Sequence, residues 1–174
     1  YQIDLDQDVR ALLSVEANTD WFGTAHHELG HAFYMLAYSR PGIPPLLRDS
    51  PTNALHEGIA ELAGNVCFQA PYLRRLGLLP SDAAPDSIAF LLNDALNSTL
   101  PLLAFGAGTM THWEADFYAG DLPVEQWNAR WWQYARDFQG IEPPEPRGEE
   151  FCDAATKTHI NTVPAYFANY AVAT

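Results

Sequence analysis

The sequence predicts a mainly α fold, and three observations support that prediction. Apolar residues recur at helical spacing in several segments, proline and glycine cluster between those segments, and only 8–17 is typical of a strand. With 174 residues, 48% of them hydrophobic, the chain is long enough to bury a core. We therefore predict one domain over 1–174, with at most a short β-strand or hairpin near the N-terminus.

Capping residues and prolines set the predicted elements. Asn18, Thr19 and Asp20 offer N-caps for a first helix that ends near Tyr38. Proline-rich loops are predicted over 39–53 and 141–151, because proline removes a backbone donor and fixes φ. The further predicted helices are 54–70 (ended by Pro71), 71–79, 86–123 (interrupted near Pro101 and Gly106), 123–140 and a last segment from about Val163.

The charge balance excludes some partners. The chain has 22 acidic and 9 basic residues and a formal charge of −13, so it lacks the basic surface that nucleic acid or an anionic membrane requires. This charge favours neutral or cationic ligands. We also predict no membrane span and find no signal peptide pattern. Cys67 and Cys152 allow a single disulfide but do not imply one.

The segment "AHHELGHAFYMLAY" has the spacing of a zinc site. His27 and His31 are four residues apart, so both imidazoles lie on one face of the first helix. Glu28 points about 100° away from His27, where it could act as a general base on a water molecule at the metal. A metal-free helix that carries histidines by chance is the alternative. His26 lies on another face, and we assign it a structural or supporting role.

The second helix offers the third ligand. Glu57 and Glu61 in "NALHEGIAELAG" share one face of an otherwise apolar helix. Buried carboxylates are costly unless a cation compensates them, and a catalytic zinc needs three protein ligands. If the two helices run antiparallel, Glu57 can approach His27 and His31. We predict one zinc ion per chain, held by these three residues, with Glu61 orienting a zinc-bound histidine.

The segment "KTHINTVPAYFANY" places Lys157, His159, Tyr166 and Tyr170 within fourteen residues. Imidazole and phenol donors can stabilise the oxyanion of peptide hydrolysis, and a lysine can bind a peptide's terminal carboxylate. A purely structural role for these side chains stays open at this point. His112 lies among aromatic residues, which favours a packed histidine over a site residue.

The motifs together resemble the angiotensin-converting enzyme family of peptidyl-dipeptidases. The two helices above look like its zinc-binding helices. Three later segments also match in family order: "AFGAGTMTHWEADFYAG", "NARWWQYARDFQGIEPPEPR" and "KTHINTVPAYFANYAVAT". The likeness covers essentially the whole chain, which makes it much more specific than a histidine pair alone.

The resemblance implies a mostly helical gluzincin half-domain that removes dipeptides from peptide C-termini. It implies that His27, His31 and Glu57 bind zinc. Glu28 would be the general base, and Glu61 would orient a zinc-bound histidine. It also implies that His159 binds the substrate carbonyl and Lys157 the C-terminal carboxylate. The oxyanion tyrosine is best matched by Tyr170, with Tyr166 as the competing assignment.

The sequence also departs from the family pattern. Phe167 replaces a family tyrosine that binds carboxylate, which weakens the prediction of strict dipeptide release. The chloride-binding arginines of the family fall near Ala135 and near Asn169 or Ala168, so chloride activation is doubtful. Family members are several times longer, and we expect this chain to be part of a larger enzyme or to work with a missing N-terminal half or a second copy.

These observations lead to three hypotheses about the function. The first is a zinc metallopeptidase resembling peptidyl-dipeptidases that acts on peptide substrates, with a periplasmic or extracellular location implied by the resemblance. The second is a zinc carboxypeptidase or oligopeptidase with another end specificity. The third is a zinc-binding fragment that needs a second chain for catalysis. A metal-free helical protein is the most distant alternative.

Overall fold

The computed structural model describes residues 1–83 and 87–174, so the first residue of the predicted segment 86–123 lies outside the described residues. The fold is mainly α, as predicted. Its α-helices over the described residues are α1 (Thr19–Tyr38), α2 (Asn53–Val66), α3 (Ala70–Arg75), α4 (Ser87–Asp94), α5 (Leu100–Leu103), α6 (Thr111–Ala119), α7 (Trp127–Tyr134), α8 (Thr158–Thr162) and α9 (Ala168–Ala173).

The chain is divided into two compact units. The first unit comprises residues 1–90 with 173–174, and the second comprises residues 91–172. The prediction of a single domain over 1–174 stays a prediction.

Helix α1 begins where the capping residues predict. The Asn18 side chain accepts a hydrogen bond from the Trp21 N–H, which satisfies one of the unpaired donors at the helix start. Helix α2 is capped in the same way, because the Thr52 hydroxyl accepts from the Leu55 N–H. The loop between the two helices contains one 3₁₀ turn, Pro45–Leu47. Both predicted starts are therefore confirmed to within a residue.

Small residues let α1 and α2 pack closely in antiparallel orientation. A Cβ atom on Gly30 would lie 2.8 Å from the Ala60 Cα atom and 2.9 Å from the Ala63 Cβ atom. Ala60 is fully buried at this contact. About one turn earlier in α1, a Cβ atom on Gly64 would lie 3.5 Å from the Cβ atom of His27. The early part of α1 thus faces the late part of α2.

The strand expected over 8–17 does not form. Within the described residues, bridge pairing is limited to one antiparallel pair, Gln2 with Val9. The Ile3 N–H donates to the Asp8 carbonyl and Asp4 accepts from two backbone N–H groups, so residues 2–9 form a tight turn. A short apolar stretch without a partner strand has no sheet to join.

Prolines account for two further differences. Helix α2 ends at Val66, and Pro71 lies in the first turn of α3 instead of ending α2, because a proline there leaves no intrahelical donor unpaired. The predicted breaks at Pro101 and Gly106 are wrong. The segments Ala95–Thr99 and Ala104–Met110 are π-helical and join α4, α5 and α6 into one continuous helical run.

The helical run Ile88–Ala119 is long and apolar enough to cross a membrane by length and composition alone. One such helix is weak evidence for a span. The absence of a membrane span stays a prediction.

The second unit has an aromatic core. Its buried members are Met110, Trp113, Trp131, Ala154 and Phe167. The Trp113 indole N–H donates to the Trp127 carbonyl, which ties α6 to the start of α7. Helix α7 continues as a π-helical segment, Ala135–Gln139, that ends at Gly140 in the left-handed conformation.

The last helix was predicted from the wrong residue. Helix α8 ends at Thr162, and Val163 lies in the turn that follows it, while α9 begins at Ala168. The intervening Ala165 has a φ of 57°, and its N–H donates to the buried Glu114 carboxylate. A backbone in this left-handed region interrupts a helix, so one predicted segment becomes two short helices.

Candidate metal centre

Three predicted metal ligands converge in the first unit. Donor atoms of His27, His31 and Glu57 all lie within 4.8 Å of one another. The Glu57 Oε2 atom is 3.5 Å from His27 Nε2 and 3.6 Å from His31 Nε2. Two ligands on a tetrahedral zinc with bonds of roughly 2.0–2.1 Å stand about 3.4 Å apart. Both carboxylate–imidazole distances are close to this spacing, so the donor set of two imidazoles and one carboxylate is suited to a zinc ion.

The close approach of α1 and α2 creates this arrangement. Gly30 lies between the two histidines on α1, and Ala60 lies between Glu57 and Glu61 on α2. Their contact brings the histidine face of α1 onto the carboxylate face of α2. Glu57 is only 3% exposed as a result. A carboxylate buried to this degree requires a positive partner or hydrogen bonds.

The environment of the two histidines differs. Burial lowers the pKa of His31 to about 4, and the charge of Glu57 only partly opposes this. Burial also disfavours the charged form of His27, but the interactions with Glu57 and Glu61 outweigh it and raise the pKa of His27. His31 is therefore neutral near pH 7, which is the state in which an imidazole binds a metal.

Each candidate histidine ligand also has a partner at its Nδ1 atom. His27 Nδ1 lies 3.5 Å from Glu61 Oε1, and Glu61 occupies the position predicted for a residue that orients a ligand. His31 Nδ1 lies 2.7 Å from His56 Nδ1. His56 was not among the predicted site residues, although it directly precedes Glu57 and is a polar ring in an apolar helix.

Glu28 and His26 lie next to His27 in α1 but not on its face. Glu28 is half-buried and contributes to the raised pKa of His27 through its charge. His26 Nε2 lies 2.9 Å from the Tyr72 hydroxyl, and His26 Nδ1 lies 2.7 Å from the Phe22 carbonyl. It lines an apolar groove of about 610 Å³, to which none of the three candidate ligands contributes. His26 thus links α1 to α3.

In the second unit, the other predicted site residues gather around Phe167. The Tyr170 hydroxyl lies 3.4 Å from His159 Nε2, and the Tyr166 and Tyr170 rings are 5.7 Å apart. The Lys157 ammonium lies 4.8 Å from the centre of the Phe167 ring and 5.1 Å from that of Phe105. His159, Tyr166, Tyr170 and Lys157 therefore form one cluster, as their spacing suggested.

Two other predictions concern residues outside these groups. His112 packs on Tyr134 and Phe138, and its Nδ1 atom lies 2.9 Å from the Gly108 carbonyl, as expected of a packed histidine. Cys67 and Cys152 are both free thiols. Burial raises the pKa of Cys67 to about 11, so this thiol stays protonated near pH 7.

Comparisons with known proteins agree with the motifs. The family model described as Peptidase_M2, angiotensin-converting enzyme, matches residues 1–174. The angiotensin-converting enzyme of Theromyzon tessulatum is 33% identical over 161 residues, which cover 91% of this chain and 26% of that protein. The angiotensin-converting enzyme-related protein of Drosophila melanogaster is 32% identical over 168 residues, covering 95% and 26% respectively.

A mammalian relative shows the same pattern. The angiotensin-converting enzyme of Oryctolagus cuniculus is 31% identical over 162 residues, or 92% of this chain and 12% of that protein. The chain spans about a quarter of the length of the first two relatives. With a family model matched over its whole length, the chain belongs to the angiotensin-converting enzyme family of metallopeptidases.

Proposed function

We propose that this chain carries the metal centre of a zinc-dependent peptidase that hydrolyses peptide bonds near the C-terminus of peptides, as a peptidyl-dipeptidase. The observation that carries the proposal is the convergence of His27, His31 and Glu57 donor atoms within 4.8 Å. Family membership supports the reaction class. The proposal includes one zinc ion per chain and a peptide substrate, without a nucleic acid partner.

The donor set favours zinc over magnesium or calcium. Two imidazoles and one carboxylate leave a fourth position open, as in other catalytic zinc sites. When bound here, zinc would act as a Lewis acid that polarises the substrate carbonyl and lowers the pKa of a water molecule. Magnesium and calcium prefer all-oxygen sites, so two histidine nitrogens disfavour them.

Glu28 is proposed as the general base. Its half-buried carboxylate follows His27 in α1 and lies close enough to affect the pKa of His27. In this role it accepts a proton from the attacking water and passes it to the leaving amine. Such a group typically contributes a factor of about 10²–10⁴ to the rate.

The second-unit cluster is proposed to bind the substrate. Tyr170 and His159 offer a phenol and an imidazole only 3.4 Å apart, which could donate hydrogen bonds to an oxyanion or a carbonyl. We favour Tyr170 for the oxyanion and Tyr166 as the alternative. Lys157 is proposed to bind the terminal carboxylate of the peptide, with the Phe105 and Phe167 rings holding its ammonium.

A second candidate function rests on chain length. Because the chain spans about a quarter of its first two relatives, residues needed for turnover could lie in other parts of the protein. In that case these residues bind zinc but do not catalyse alone. A carboxypeptidase or oligopeptidase with another end specificity is the remaining alternative. An exported location is an expectation that rests on the resemblance.

The test is hydrolysis of a short peptide with a free C-terminus and of its C-terminally amidated form, with products identified by mass spectrometry. The proposal expects dipeptide release from the free peptide, loss of activity in Glu28→Gln by at least about 10²-fold, and unchanged zinc content in that variant. Equal cleavage of both peptides would favour an oligopeptidase. Zinc binding without turnover, restored by adding the remaining polypeptide, would favour the second candidate.

A further inference from the structure

We infer that His56 is a positioning residue for the metal centre: it accepts the Nδ1–H proton of His31 and thereby holds the His31 ring with Nε2 directed at the metal. This inference rests on the proposed zinc site. The contact that carries it is the 2.7 Å distance between His31 Nδ1 and His56 Nδ1, which is short for a hydrogen bond between two imidazoles.

The proton positions follow from the geometry. Nε2 of His31 faces Glu57 and the other candidate ligand, so its lone pair must be free when a metal binds there. A neutral His31 then carries its proton on Nδ1, where it donates to His56. His56 Nδ1 must accept, so the His56 proton lies on Nε2, 3.4 Å from the Tyr38 hydroxyl.

The ring of His56 is held in place by three rings of α1. Its centre is 4.7 Å from that of His31, 5.1 Å from that of Tyr34 and 6.1 Å from that of Tyr38. The half-buried His56 ring is therefore fixed by these ring contacts and by polar contacts at both of its nitrogens. A group held this rigidly can set the orientation of its neighbour.

Three side chains of helix α2 therefore contact the two histidines. Glu57 offers the shared ligand, Glu61 faces His27 Nδ1, and His56 faces His31 Nδ1. The partner of His27 is a carboxylate and the partner of His31 is an imidazole. The ring of His27 is thus oriented by a carboxylate, and the ring of His31 by a hydrogen bond to another imidazole.

The experiment measures zinc affinity by competition with a chromophoric chelator at one fixed pH. His56→Leu should weaken zinc binding by about 10- to 100-fold, which is the usual effect of removing such a partner. His56→Asn should recover most of the affinity, because the asparagine Oδ1 atom can accept near the position of the imidazole Nδ1. His26→Leu is the control, since His26 contacts Tyr72 and not the metal centre.

A second readout does not depend on a variant that might fold poorly. Two-bond ¹H–¹⁵N imidazole spectra of the zinc-loaded wild-type chain should show His31 protonated on Nδ1 and His56 protonated on Nε2. A His56 proton on Nδ1, or an affinity of folded His56→Leu within about twofold of wild type, would overturn the inference while leaving the zinc site standing. A wild-type chain that binds no zinc would overturn both the inference and the proposed function.

Discussion

Each unit buries a carboxylate, Glu57 in the first and Glu114 in the second, but the aromatic core described above lies in the second unit. In the first unit, the contact between α1 and α2 buries the Glu57 carboxylate at 3% exposure beside two histidines, and Leu29 and Phe33 of the same hairpin are exposed. In the second unit, Trp113 and Met110 are buried at 2% and 0% exposure. A first unit that buries charge at a helix crossing should gain stability from a metal, whereas the second should depend on apolar packing.

The largest expected effect tests packing in the second unit. Trp113→Ala removes a buried indole and its hydrogen bond to Trp127, and should lower the free energy of unfolding by about 3–5 kcal/mol. Leu100→Ala is a suitable control, because Leu100 lies in the same helical run and is 53% exposed. The control should cost less than about 0.5 kcal/mol in urea denaturation. Equal effects of the two substitutions would contradict the packing account.

The next prediction concerns metal-dependent stability. Zinc at 100 times its dissociation constant should raise the free energy of unfolding of the first unit by about 2.7 kcal/mol through mass action. Glu57→Gln should lose most of this gain, because a neutral amide is a poor zinc ligand. Thermal unfolding with and without zinc measures the difference. A gain of the same size in Glu57→Gln would contradict the comparison between the units.

The close approach of α1 and α2 predicts a smaller effect. Gly30→Ala adds a methyl group 2.8 Å from the Ala60 Cα atom, so the helices must move apart, at a cost of about 1–3 kcal/mol. Zinc affinity should fall with it. Gly64→Ala is the matched control on α2, since its new methyl would make an ordinary 3.5 Å contact with His27. That substitution should be neutral or stabilising, because alanine favours helix, and equal destabilisation of both variants would refute this explanation.

The smallest effect concerns pH and the second unit. The hydrogen bonds from Arg147, ahead of the opposing effect of burial, lower the pKa of Asp153 to about 2. Because the folded-state pKa lies below the unfolded value of about 3.9, the ion pair stabilises the fold above pH 4 and this contribution is lost as pH falls toward 2. Asp153→Asn should remove about 1–2 kcal/mol at pH 7.

A measurement at low pH serves as the control for Asp153→Asn. Near pH 2, Asp153→Asn and the wild type should approach equal stability, because the wild-type carboxyl is then largely protonated in the unfolded chain and partly protonated in the folded one. A stability difference that does not change between pH 7 and pH 2 would show that the charge of Asp153 is not what stabilises this loop.

Local signals were sufficient to predict that the side chains of His27, His31 and Glu57 come together. The four-residue spacing of His27 and His31 fixes their common face, and the loop length before Thr52 permits the antiparallel return that brings Glu57 to them. Both follow from helix geometry alone. The starts of α1 and α2 could also be predicted from the sequence, because Asn18 and Thr52 cap these helices through their own side chains.

Other features depend on backbone adjustments or on contacts between distant residues, and the sequence pattern does not predict them. The run through Pro101 stays helical because π-helical segments on either side adjust the backbone around it. The contact between His31 and His56 joins residues 25 positions apart. Its geometry depends on the crossing at Gly30 and Ala60, which the sequence pattern does not specify.

The most direct test of the metal centre is the stoichiometry and affinity of zinc binding to the wild-type chain and to Glu57→Ala, with Glu28→Gln as a control that keeps all three proposed ligands. Our account predicts one zinc per wild-type chain, strongly weakened binding in Glu57→Ala, and binding close to wild type in Glu28→Gln. Equal zinc affinity of the wild type and Glu57→Ala would contradict it, because the crossing of α1 and α2 would then not form the site.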